Sequence, residues 1–80
     1  MSRGYSLRTR DLNAKADKRK LGVRLGRVCI KKDVPVTVIA KRMGVTRATV
    51  YNWFCGVSSP QASATTLIET YIASLETAAA

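Results

Sequence analysis

Side chains able to do acid, base, nucleophilic or metal chemistry are few in this 80-residue chain. It has no histidine, two cysteines and five acids. The lack of histidine removes the imidazole base, the Cys-His and Ser-His nucleophile pairs and the His ligands of zinc. The acids are scattered singly, so neither paired carboxylates nor a cage for a hard metal ion is expected. We therefore predict no enzymatic activity, no metal and no cofactor.

Cysteine spacing and hydropathy indicate the compartment. Cys29 and Cys55 lie far apart without a CxxC spacing. Two buried free thiols in a reducing cytoplasm are favoured, and one disulfide is the alternative. Apolar runs are too short to span a membrane, and the basic start lacks the apolar stretch of a signal peptide. A cytoplasmic protein with one small domain is therefore predicted, since 80 residues bury only about 60% of the unfolded surface.

The chemistry that the sequence does offer is cationic. The chain has 14 Lys+Arg against 5 Asp+Glu, a formal charge of +9 and a pI near 10.3. Such an excess is typical of proteins that bind a polyanion, usually nucleic acid or an anionic membrane surface. With 46% hydrophobic residues, the chain can also form a packed core.

Positive charge is concentrated in the first third of the chain. Residues 1–32 hold eleven Lys/Arg and two Asp, a net +9, so the remainder is neutral overall. Residues 1–13 show no sustained period, which predicts a flexible basic arm that either contacts DNA or only aids solubility. From residue 14 an apolar stripe predicts a helix, with a narrow basic ridge away from the core that either follows phosphates or is merely solvated. The cations of the arm and first helix are Arg3, Arg8, Arg10, Lys15, Lys18, Lys20, Arg24, Arg27 and Lys31.

Helix boundaries follow from the turn residues. Residues 33–35 end the first helix, because the residue before a proline avoids helical dihedrals. A second helix spans 36–43 and a third 46–55. Gly44 can adopt the left-handed conformation between them, and Thr46 can accept from the amide of Ala48 or Thr49. Two short helices joined by such a turn predict a helix-turn-helix. Within the first helix, Gly22 and Gly26 allow either the close approach of another backbone or a weakened, kinked helix.

Residues 36–56, VTVIAKRMGVTRATVYNWFCG, resemble the lambda-repressor and Cro family of DNA-binding domains. The resemblance rests on Ala40, Gly44 and Val50, continues through WFCGVSSP, and covers roughly residues 21–75. It implies an all-α bundle of four to five helices at residues 14–77, after the flexible arm and before a fraying end at 78–80. Its core is expected to include Ile39, Ala40, Met43, Val45, Val50 and Trp53.

Pro35 and Val36 depart from the family pattern, which usually has polar residues at these positions. A phosphate contact from the start of this helix then falls to Thr37 or to backbone amides. Val38 is apolar where a solvated residue is expected, so it covers either another element or a partner subunit.

One face of the third helix carries side chains that can bind base edges. Arg bonds guanine bidentately, Asn bonds adenine, and an Ala methyl meets the methyl of thymine. The candidate base-contacting residues are Arg47, Ala48, Thr49, Tyr51 and Asn52. The candidate phosphate-contacting residues are Thr37, Lys41, Arg42 and Thr46.

The last helix, predicted at residues 63–77, has an unusually wide apolar arc. Leu67, Ile68, Tyr71 and Leu75 are assigned to the core. Ile72 is either core, which is favoured, or part of a surplus strip for dimerisation.

These expectations favour a Cro-like transcriptional regulator, most simply a repressor of phage or bacterial type. It would bind double-stranded DNA as a homodimer on a palindromic operator, without a small-molecule ligand. One alternative is a recombination or packaging accessory, similar to an excisionase or a small terminase. Another is a protein-interaction module whose basic face binds an acidic partner.

Overall fold

A computed structural model describes residues 5–77 of the protein. Within that range it contains helices and no strands, in agreement with the predicted all-α bundle. The five helices are α1 (Leu7–Lys15), α2 (Leu21–Lys32), α3 (Val36–Met43), α4 (Arg47–Phe54) and α5 (Ala62–Thr77).

Helix α2 is the centre of the bundle and contacts α1, α4 and α5. Its buried face includes Leu25 and Cys29, which meet Ile39, Phe54 and Ile68 from the three following helices in one apolar cluster. Both cysteines are free, but only Cys29 is fully buried. Burial raises the pKa of the Cys29 thiol to about 12. The favoured free thiols are thus confirmed, although Cys55 is half-buried.

The N-terminal segment differs from the predicted flexible arm. Residues 7–15 form α1, and the Ser6 side chain caps it by accepting from the Thr9 amide at 3.1 Å. Tyr5 is only 6% exposed, and its hydroxyl donates to the carbonyl of Val34. The arm prediction is therefore wrong for residues 5–13, while Arg3 and residues 78–80 lie outside the described range.

Asn13 joins α1 to two other helices. Its buried side-chain amide donates to the Val23 carbonyl at 3.2 Å and to the Phe54 carbonyl at 2.7 Å. The predicted start of the next helix at residue 14 is also wrong, because α1 ends at Lys15 and residues 16–20 turn the chain into α2, whereas residues 21–32 are helical as predicted. The N-terminal segment is thus part of the domain.

Gly22 and Gly26 let α4 approach α2 closely. A Cβ atom on Gly22 would lie 2.7 Å from Cβ of Trp53 and 2.8 Å from its carbonyl oxygen. One on Gly26 would lie 2.6 Å from Nδ2 of Asn13 and 2.8 Å from Cγ of Phe54. Since α2 is continuous across both glycines, the close-approach interpretation is confirmed.

Helix α5 turns to the core most of the apolar residues that the sequence assigned to it. Ile68 and Ile72 are buried, and Tyr71 and Leu75 pack against the core from its margin. Leu67 is 48% exposed, so its core assignment is wrong. Adjacent residues point about 100° apart on a helix. A helix with a wide apolar arc can therefore turn about its own axis and still place apolar side chains in the core. No helix among residues 5–77 is long and apolar enough to cross a membrane.

Candidate nucleic-acid interface

Helices α3 and α4 form the predicted pair around a tight turn. Gly44 ends α3 with a φ of 70°, a left-handed conformation that glycine adopts without steric cost. Thr46 caps α4, and its Oγ1 accepts from the Thr49 amide at 3.2 Å. Val50 and Trp53 are buried beneath α4. Because its inner residues are anchored, the outer side of α4 has a fixed orientation.

The outer side of α4 carries four of the five candidate base-contacting residues. Arg47, Ala48 and Asn52 are exposed, and Tyr51 is 37% exposed. We call these four residues the α4 face. Within residues 5–77, no hydrogen bond or ion pair joins the Arg47 or Asn52 side chain to another residue. Their donors and acceptors are therefore available to a ligand.

Thr49 lies at the margin of the α4 face. Its side chain is half-buried, and its hydroxyl shares a 2.9 Å hydrogen bond with Oγ1 of Thr46. This hydroxyl supports the N-terminal cap of the helix, so the structure does not place Thr49 with the four outer residues.

All four candidate phosphate-contacting residues are exposed. Thr37 and Lys41 are four positions apart and share one side of α3, and Thr46 begins α4. Arg42 differs, because its guanidinium lies over the ring of Tyr71 at 4.9 Å from the centroid. That cation–π contact holds Arg42 toward α5. Val38 is also exposed, at 45%.

Two cations of the predicted basic ridge bind backbone carbonyls of the protein itself. Lys20 Nζ donates to the Gly56 carbonyl just after α4, at 3.0 Å. Arg27 donates to the Ala14 carbonyl in the last turn of α1, also at 3.0 Å. Cations at helix C-termini satisfy free carbonyls and interact favourably with the helix dipole. Lys20 and Arg27 thus stabilise the fold, whereas Arg24 and Lys31 are exposed and make no such bond.

Two cations of the basic ridge, Arg24 and Lys31, lie on the side of α2 that faces away from α4. Gly22 and Gly26 mark the side of α2 that contacts α4. At 100° per residue, Arg24 and Lys31 lie roughly half a turn away from those glycines. The α4 face in turn points away from α2, because Trp53 and Phe54 point toward it. The sequence did not predict this separation.

Two of the acids reduce the local charge of the N-terminal region. Asp11 pairs with Lys15 at 3.0 Å, and Asp17 pairs with Arg19 at 3.1 Å. The hydrogen bond from the Arg19 side chain lowers the pKa of Asp17. Both pairs are solvent-exposed, where such contacts add little to stability. The exposed cations that remain without an ion pair in this region include Arg8, Arg10 and Lys18.

Tyr5 and Asn13 are positioning residues that the sequence did not reveal. The Tyr5 ring lies 6.0 Å from the Phe54 ring, and Asn13 binds the Phe54 carbonyl. Through these contacts with Phe54, Tyr5 and Asn13 fix the C-terminal end of α4 against the N-terminal segment.

Comparison with models of known protein families, with curated proteins and with solved structures gives no match. Residues 5–77 contain no group of three His, Cys, Asp or Glu side chains able to hold a metal ion.

Proposed function

We propose that the protein is a sequence-specific DNA-binding regulator that inserts α4 into the major groove. The observation that carries the proposal is the α4 face, where Arg47 and Asn52 project from a short capped helix with no partner among the described residues. An α-helix with its side chains is about 10–12 Å in diameter, which fits a major groove about 12 Å wide.

Each residue of the α4 face has a role in this proposal. Arg47 donates two hydrogen bonds to O6 and N7 of a guanine, and Asn52 pairs with N6 and N7 of an adenine. The Ala48 methyl meets the methyl of a thymine, and Tyr51 contacts the neighbouring base or phosphate. Thr37, Lys41 and Thr46 hold the backbone beside the groove and set the register of α4.

Regulation would follow from occupancy of an operator. Two copies on a palindromic site would place their α4 helices about 34 Å apart, one turn of DNA. Bound there, the protein would act as a repressor by excluding polymerase. Leu67 and Val38 are two of the exposed apolar residues that could form the contact between two copies.

Selection from random duplex DNA, followed by affinity measurements on Arg47→Ala, tests the proposal. Selection should enrich a palindromic sequence. Arg47→Ala should lower discrimination at one base position by about 1–3 kcal/mol, which is roughly five- to 150-fold. Lys41→Ala is the matched control on the phosphate side, and it should weaken all duplexes equally.

Other outcomes would overturn the proposal or change it. Equal weakening of every sequence by Arg47→Ala would show that Arg47 does not contact a base edge. Enrichment of direct repeats would favour a recombination or packaging accessory. A selection that enriches nothing would contradict sequence-specific binding.

A further inference from the structure

Five exposed cations lie on α2 and on the segments packed beside it, and two of them, Arg24 and Lys31, face away from α4. Arg10, Arg27 and Lys31 line a groove of about 440 Å³ between α1 and α2. Lys18 and Arg24 line a second groove, between α2 and α5. We call Arg10, Lys18, Arg24, Arg27 and Lys31 the rear surface.

The rear surface has little acidic compensation. The acids that line the two grooves are Asp11 and Glu76. Asp11 is already paired with Lys15, and no ion pair within residues 5–77 involves Arg24 or Lys31. Arg27 uses part of its guanidinium on Ala14 but has further N–H donors, since the group carries five. The rear surface is therefore strongly positive and open to solvent.

One rigid duplex cannot contact both positive surfaces of the protein. Packed helices lie about 8–10 Å apart, and each adds about 5 Å of side chain beyond its axis, so the two surfaces are roughly 20 Å apart. A duplex that contacts the α4 face therefore leaves the rear surface free.

We propose that the rear surface binds the phosphate backbone of a second DNA segment, so that one copy of the protein bridges two duplexes. Arg24 and Lys31 are seven residues apart on one side of α2, about 10 Å from each other along the helix axis. Two cations at that distance can contact phosphates of the same DNA backbone. Cations that project singly from a convex helix can contact phosphates without base specificity. An acidic protein segment fits less well, because both grooves are shallow and offer no enclosed pocket for an apolar anchor. The bridging proposal rests on the proposed function only for the duplex that binds the α4 face.

A two-duplex capture assay tests the bridge. A bead carries a 30-base-pair duplex with the selected sequence, and a labelled 30-base-pair duplex of scrambled sequence is added with limiting protein. The double variant R24Q/K31Q removes two rear-surface cations. Its control, R19Q/K32Q, removes the same charge from residues outside the rear surface.

The rear surface predicts a specific pattern in this assay. Wild-type protein should capture the labelled duplex, and R24Q/K31Q should reduce this capture about tenfold, since each lost phosphate contact weakens binding at fixed salt. Retention of R24Q/K31Q on the bead-bound duplex should differ from that of wild type by less than threefold. The R19Q/K32Q control should capture the labelled duplex as wild type does.

Three results would overturn the bridge. The first is that wild-type protein does not capture the labelled duplex. The second is that R24Q/K31Q and R19Q/K32Q lose capture of that duplex equally. The third is that poly-glutamate displaces the labelled duplex at concentrations at which excess unlabelled duplex does not. The last result would assign the rear surface to an acidic protein.

Arg47→Ala separates this proposal from the proposed function. A dimer that bridges through two α4 faces would lose capture in that variant. The rear surface predicts instead that Arg47→Ala still binds scrambled duplex, and that adding R24Q/K31Q to it abolishes that binding. If selection enriches no sequence but this dependence on Arg24 and Lys31 holds, the proposed function fails and the rear surface stands.

Discussion

Replacing Asn13 by alanine should destabilise the whole domain, although Asn13 lies in a segment that looks like a polar tail. The substitution removes two buried hydrogen bonds, to the carbonyls of Val23 and Phe54. Each bond contributes about 0.5–1.5 kcal/mol, and a buried carbonyl left without a donor costs about 1–3 kcal/mol. We expect the free energy of unfolding to fall by about 2–4 kcal/mol.

That loss is large for a domain of this size. A chain of 80 residues has a total stability of about 4–12 kcal/mol, at about 0.05–0.15 kcal/mol per residue. Because 1 kcal/mol shifts Tm by about 4–8 °C in small domains, Asn13→Ala should lower Tm by roughly 8–32 °C. Urea and thermal unfolding, followed by circular dichroism at 222 nm, measure both quantities.

Two further variants make the measurement specific. Arg8→Ala changes an exposed side chain of the same helix and should stay within about 0.5 kcal/mol of wild type. Asn13→Asp keeps the shape but replaces the donor by an acceptor, so it should destabilise more than Asn13→Ala. A loss below about 0.5 kcal/mol in Asn13→Ala would show that α1 does not dock on α4, and that the N-terminal segment is a flexible arm after all.

Two other predictions concern the core. Gly22→Ala should lower stability by about 1–3 kcal/mol in urea titrations despite the better helix propensity of alanine, since the new Cβ meets the Trp53 backbone; an unchanged midpoint would contradict the close approach. Stability should also fall as pH rises from about 9 toward 12, because burial raises the pKa of Cys29 to about 12 and the unfolded thiol releases its proton first. Cys29→Ala should flatten that part of the profile measured by urea unfolding, whereas a slope unchanged by the substitution would rule out this thiol.

Helices α3 and α4 could be predicted because their signals are local. Gly44 and Thr46 mark the turn within three residues, and the buried positions repeat at helical spacing. The outer side of α4 then follows from geometry, since its inner residues occupy one side of the helix. Thr49 lies at the margin of this side, because its hydroxyl takes part in the cap hydrogen bond with Thr46.

Helix α1 could not be predicted because its buried contacts lack an apolar period. Tyr5 and Asn13 dock through single polar groups to partners 29 and 41 residues away. The sequence between Tyr5 and Asn13 shows only a pattern of exposed cations, which is typical of a solvated tail. The sequence correctly placed the basic ridge on one side of α2. It could not predict that Lys20 and Arg27 donate hydrogen bonds to carbonyls of Gly56 and Ala14, because those bonds depend on where α4 and α1 end.

The bond between Asn13 and Phe54 also affects the order of folding during synthesis. The segment that forms α1 leaves the ribosome first, yet its partner is made 41 residues later. At about 5–20 residues per second, α1 waits roughly 2–8 s for that partner. Helices α3 and α4 are adjacent in the chain and can pair soon after they emerge, because closing a short loop costs little entropy. Helix α1 can therefore dock on α2 early, through Asn13–Val23 and Arg27–Ala14, but its attachment to α4 is completed only after residue 54 has been made.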